Sequence, residues 1–239
     1  MEKIQFDNDN FILYSPDTLK YVTDGMESIL NNTLDLYKKI FDIDSYRKVQ
    51  INLFDNQDIF REFVYEIRGE KTSLPKYASG TFDKGMINIY VPTNIVVNSP
   101  LYYLYKYSPS HELFHIMYKE LVLTKENLQR IVWFDEGVAQ FLSGDHPIEL
   151  SEENYSSFEE KVFSNTKILP KINELEHGTS FFNQDYDGYK LGLILVKHIY
   201  DEIGLDGLKL LIHDINKIKE YGNTLLPKLF EDHKGKGLK

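Results

Sequence analysis

His111-Glu112-Leu113-Phe114-His115, taken with Trp133-Phe134-Asp135-Glu136-Gly137, decides how this chain is read. Residues at i and i+4 of a helix lie one above the other on a single face, so the imidazoles of His111 and His115 can reach one ion. That is half of a tetrahedral zinc site. Glu112 sits at the edge of the same face, where a carboxylate can take the proton of a zinc-activated water. The competing interpretation is two ordinary histidines on a partly buried helix with a solvated glutamate beside them. Leu113, Phe114, Ile116 and Met117 give the helix apolar sides that bury it, as a preorganised site requires.

Twenty residues separate His115 from Glu136. The polar stretch Thr124-Lys125-Glu126-Asn127 ends the first helix, and a second includes Ile131 to Leu142 and stops near Gly144. A helix, a turn and an antiparallel return would bring Glu136 back as a third ligand. Trp133 and Gln140 fall at i−3 and i+4 from Glu136. Trp133 would then wall the site, while Gln140 either faces solvent or orients a ligand.

Composition narrows the chemistry. The chain has 239 residues, 42% of them hydrophobic, which suffices for one large domain or two lobes sharing a cleft. It contains no cysteine, so thiolate ligands, disulfides and cysteine nucleophiles are excluded and a metal must be held by nitrogen and oxygen. A formal charge of −10 argues against nucleic acid and against an anionic membrane surface. The N-terminal residues lack a basic stretch followed by an apolar one, and no apolar run is long enough to span a bilayer. A soluble, cytoplasmic protein is expected.

The remaining pattern is α+β. Ser15-Pro16 reads as a helix opening, with Leu19, Val22, Met26, Ile29, Leu30, Leu34, Tyr37 and Ile40 marking one long amphipathic helix through about Phe41. Lys48 to Phe54 alternates as a strand, and a helix is expected from Gln57 to Arg68, ended by Gly69. Between Ala78 and Val91, two short strands flank the Asp83-Lys84-Gly85 turn, and the second, Met86–Tyr90, is a candidate sheet edge that could pair with an extended peptide. Ser108-Pro109 either caps a new helix or kinks one already running. The expected division is an α/β lobe over residues 1–122 carrying the His111 helix and a mainly helical lobe over 123–239 carrying Glu136, with a cleft between them.

HELFH, followed about twenty residues on by WFDEGVAQF, resembles the gluzincin class of zinc metallopeptidases, and specifically the peptidase-MA-like group whose second motif reads W-x-x-E-G-x-A. The resemblance implies a zincin-like metallopeptidase fold with a small mixed or antiparallel sheet. It also implies Zn2+ held by His111, His115 and Glu136, Glu112 as general base, and a peptide or protein substrate. Ile168 to Leu175 resembles the LP-x-L-x-x-L linker of these proteins, and Tyr189-Lys190-Leu191-Gly192 opens a stretch similar to their next long helix. In that family a tyrosine near the start of this helix stabilises the oxyanion, a role that falls on Tyr189, with Tyr186 the next match. Gluzincin aminopeptidases carry a G-x-M-E-N strand upstream of the first motif. Gly85-Met86-Ile87-Asn88 stands at a similar distance with no acid in the corresponding place, which points away from an aminopeptidase and toward an endopeptidase. The resemblance spans roughly residues 45 to 215. The alternative is a catalytically degenerate binding module on the same fold, against which the intact Glu112 argues. The least specific alternative is a nonhydrolytic structural protein with a chance motif.

Overall fold

Alternating side chains in Val49-Gln50-Ile51-Asn52-Leu53-Phe54 place Val49, Ile51 and Leu53 on one face of a strand, and all three are fully buried. In the computed structural model, which describes residues 3–69, 74, 79–178 and 181–234, this segment is the middle strand of a five-stranded mixed sheet. The strands are β1 (Lys3–Asp7), β2 (Phe11–Ser15), β3 (Val49–Phe54), β4 (Gly80–Asp83) and β5 (Met86–Tyr90), in the order β1-β2-β3-β5-β4. β2, β3 and β5 run parallel, and β1 and β4 are antiparallel edges. The fold is α+β. By contacts the chain divides into two compact units, Met1–Ile116 and Met117–Lys239.

In the first unit, α1 (Lys20–Thr23), α2 (Met26–Phe41), α3 (Gln57–Arg68) and the helix α4 (Pro100–Tyr118) accompany the sheet; the division between the units falls within α4. The single long helix expected from Ser15-Pro16 is broken. Ser15 ends β2, a 3-10 turn spans Asp17–Leu19, and Gly25, at φ 76°, separates α1 from α2. The hydrophobic period hid this because Leu19, Val22, Met26 and Leu30 are fully buried on both sides of the break. α3 matches its expected bounds: Asn56 accepts from the backbone of Asp58 and Ile59 at its start, and Gly69, at φ 72°, ends it. Ala78, where the sequence reading begins the first hairpin strand, lies outside the described residues.

The expectation of an edge at Met86–Tyr90 is corrected. β5 pairs with β3 on one side and β4 on the other, so the free edge belongs to β4. A hairpin has two strands, and sequence alone does not tell which of them the rest of the sheet will take. α4 runs through Pro109 without interruption. The carbonyl of Leu104 gains a bond from the Ser108 hydroxyl at 2.7 Å, and the buried Tyr37 hydroxyl donates to the Ser110 carbonyl at 3.1 Å.

The second unit is helical: α5 (Val132–Ser143), α6 (Tyr155–Asn165), α7 (Ile172–Leu175), α8 (Gly188–Leu211) and α9 (Ile215–Lys234), preceded by a π-helical turn at Lys119–Leu123. α6 carries a hidden polar group, the Tyr155 hydroxyl. No described helix is long and apolar enough to cross a membrane.

Burial, followed by the nearby carboxylates of Glu159 and Asp201, pushes the Tyr155 hydroxyl well above the usual tyrosine range. A raised native value contributes stability that is complete below about pH 10 and is lost as the pH rises beyond it. The urea midpoint should therefore fall more between pH 9 and pH 11 in the wild type than in Tyr155→Phe. Equal losses in the two proteins would exclude this group as a source of alkaline instability.

Candidate metal centre

α4 presents His111 and His115 one turn apart. Phe114, fully buried between them in sequence, packs its ring against Tyr37 and Phe41 at 5.5 and 5.7 Å, so the helix is held by its apolar side. Both histidines are half-buried on the other side, with their Nε2 atoms 3.1 Å apart. Two nitrogens bound to one tetrahedral zinc would stand about 3.3 Å apart, given bonds of about 2.05 Å. The imidazoles are thus already spaced as a ligand pair.

Glu112 lies against the sheet edge. A Cβ added to Gly80 of β4 would come within 2.5 Å of Glu112 Oε1, so the strand passes close to the carboxylate, and a side chain there would make it change rotamer. The Glu112 carboxylate is half-exposed and makes no hydrogen bond or ion pair among the described residues. Nothing in the local sequence marks Gly80 for this position, and its role emerges only from sheet register.

In the second unit, Glu136 is positioned by the contact of α5 with α8. A Cβ on Gly137 would strike the Gly192 carbonyl, and a Cβ on Gly192 would come within 2.6 Å of the Trp133 carbonyl, so the two backbones touch. Trp133 is corrected from wall to core. It is fully buried, and its ring closely approaches Gly222 of α9, where a Cβ would lie 2.9 Å from Cζ2. The i−3 spacing placed it on a shared face, but that face is covered by helices far along the chain.

Gln140 does not face solvent. At 4% exposure its amide donates to the Glu136 carbonyl and to the Tyr189 carbonyl, both at 3.2 Å, and its Oε1 meets His146 Nε2 at 3.1 Å. The side chain therefore ties the turn carrying Glu136 to the first turn of α8. Tyr189 is 42% exposed, with its ring edge-on to Phe181 at 4.8 Å. Asp187 caps α8 by accepting from the Lys190 backbone, and the Gly188 N–H donates to Phe181 O at 2.8 Å. Tyr186 lies just before the helix, its backbone N–H donating to Asn183 at 3.2 Å.

Arg130 was not singled out in the sequence. Its Nη2 donates to Glu136 Oε1 at 2.7 Å, and its Nε pairs with Asp135 Oδ2. It precedes those carboxylates by five and six residues in a non-helical segment, a spacing that carries no periodic signal.

One ligand atom each from His111, His115 and Glu136 lies within 4.8 Å of the others, and the group could hold a metal ion. Two imidazoles and one carboxylate, with no cysteine in the chain, form a nitrogen and oxygen set suited to zinc with one position left open. Of the remaining histidines, His177 is exposed, His146 meets Gln140, and three have partners elsewhere. His198 meets Glu159 and His213 meets Glu126, each at 2.5 Å, and His233 stacks on Phe163.

No family model matches the chain, and no curated protein sequence does. Among solved structures, the crystal structure of an aminopeptidase N family protein from Idiomarina loihiensis is similar at 10% identity and a TM-score of 0.44. The alignment covers 97% of this chain, which spans only 40% of that one.

A glycine inside a helix ordinarily gains about 1 kcal/mol when replaced by alanine. Gly137→Ala should do the opposite, because the atom in its way is backbone. A loss of about 1 to 3 kcal/mol is expected from urea denaturation. A neutral or stabilising result would show that α5 and α8 do not touch as described.

Proposed function

We propose that this chain is a zinc-dependent metallohydrolase of the gluzincin type that cleaves peptide bonds. The observation that carries the reading is the grouping of His111, His115 and Glu136, two of them in the HELFH segment with Glu112 between. These three residues would hold the ion on a zincin-like fold. When bound, zinc supplies Lewis acidity, drawing the pKa of a water toward about 7 and polarising a carbonyl.

The protein's own groups do the rest. Glu112, free of other partners among the described residues, accepts the proton of the attacking water and returns it to the departing amine. Tyr189 donates from its hydroxyl to the carbonyl oxygen as charge develops there. The outer edge of β4, unpaired among the described residues, pairs with an extended peptide or protein substrate. A peptide on that edge lies along the strand whose Gly80 borders Glu112.

The basis for preferring internal cleavage moves with the edge. Met86 to Asn88 is paired on both sides, with Ile87 and Asn88 fully buried, so this stretch is not the edge along which a peptide would pair. On β4 itself the single acid, Asp83, is held by both nitrogens of an Arg68 fork, at 2.7 and 3.1 Å, which leaves that strand no free carboxylate for a terminal amine. This supports reading the chain as an endopeptidase. The presence of Glu112 between the two histidines also disfavours a binding module without turnover, since a purely structural site has no use for a base at that position.

Purified protein should contain about one zinc per chain by elemental analysis. Glu112→Gln should keep the zinc and lose about 10²- to 10⁴-fold in cleavage of a quenched fluorescent peptide library. Glu136→Ala should lose the zinc. Cleavage retained in Glu112→Gln would remove it as the base, and cuts confined to the first residue would replace endopeptidase with aminopeptidase.

A further inference from the structure

Arg130 stands at the wrong end of α5 for a cation. The first turn of a helix carries the positive end of its dipole and favours acids. Arg130 immediately precedes the N-cap residue Ile131, yet its guanidinium turns back onto that positive end. What holds it there is a pair of adjacent carboxylates. Asp135 is 3% exposed and Glu136 is 12% exposed, and they receive Nε and Nη2 respectively.

Asp135 by itself needs a cation, because a buried carboxylate without a partner is strongly destabilising. One arm of the guanidinium would meet that need. The second arm reaches Glu136 Oε1 at 2.7 Å, and a lysine, a point charge on a flexible stem, could not hold both carboxylates in one fixed geometry. A free glutamate at the start of a helix would sample several rotamers and lose that freedom on taking up an ion. Here the freedom is already removed.

We propose that Arg130 is the positioning residue for Glu136, holding its carboxylate in the conformation that takes up a divalent cation. The proposal rests on the assignment of Glu136 as a metal ligand. It makes the chain's zinc affinity depend on a residue that need not touch the metal, through preorganisation of one that does.

The test is zinc affinity of the full chain, measured by competition with a chromophoric chelator, with the urea midpoint of the metal-free protein recorded alongside. Two variants are compared with the wild type. Arg130→Lys keeps a cation beside Asp135 and loses the fork. Arg130→Met combined with Asp135→Asn removes the guanidinium together with the buried charge that would otherwise be orphaned. Both should fold, and the zinc Kd should rise about 10- to 100-fold, with Arg130→Lys the lesser effect. A merely structural role would move the midpoint and leave the Kd within about twofold, and that result in either folded variant overturns the role of Arg130 while leaving Glu136 a ligand. A folded wild type that takes up no zinc overturns the ligand assignment and this proposal together.

Discussion

Helices α5 and α8 meet backbone to backbone, and the geometry of the second unit depends on that contact. Gly137 faces the Gly192 carbonyl, Gly192 faces the Trp133 carbonyl, and neither position has room for a methyl group. At this separation a polar side chain can cross from one helix to the backbone of the other, and Gln140 does so, reaching the Tyr189 carbonyl one helical turn beyond Glu136. The close approach thus sets two functional candidates, Glu136 and Tyr189, in a fixed relation. A larger residue at either glycine would push the helices toward the 8 to 10 Å spacing typical of helix pairs and withdraw that bond.

In the first unit a glycine lies beside a side chain instead of a backbone. The Gly80 backbone of β4 runs beside Glu112, and the absence of a side chain leaves the carboxylate room. On the opposite side of α4, Phe114 and the Tyr37 hydroxyl hold the helix to α2 even though Pro109 removes one of its internal hydrogen bonds. The helix thus has one side held in the core and a polar side that carries His111, Glu112 and His115.

Much of the local structure was legible in sequence because local rules set it. α3 spans its expected residues and ends at a glycine in the left-handed region, an ending readable from residue type and position. The α5 boundary at Gly144 and the turn at Asp83-Lys84-Gly85 follow for the same reason. The break at Gly25 was not legible, since the residues on either side keep one hydrophobic period. The hairpin of β1 and β2 is closed by the Asn8 side chain accepting from the backbone of Asn10 and Phe11, a local turn that the hydrophobic pattern does not mark. Which strand of the second hairpin is the edge depends on β3, more than thirty residues earlier, and no window around Met86 contains that information.

For the candidate site, the sequence by itself determined the donor types and their local spacing. Two imidazoles four residues apart, a carboxylate between them, and a second carboxylate on a later helix are properties of residue identity and helical period. Tertiary structure decided what surrounds them. It put Trp133 into the core, turned Gln140 inward, brought Gly80 to Glu112 and folded Arg130 onto Glu136. These are contacts between segments without a shared period, set by which backbones can approach closely enough to touch, and short-range sequence pattern does not encode that approach.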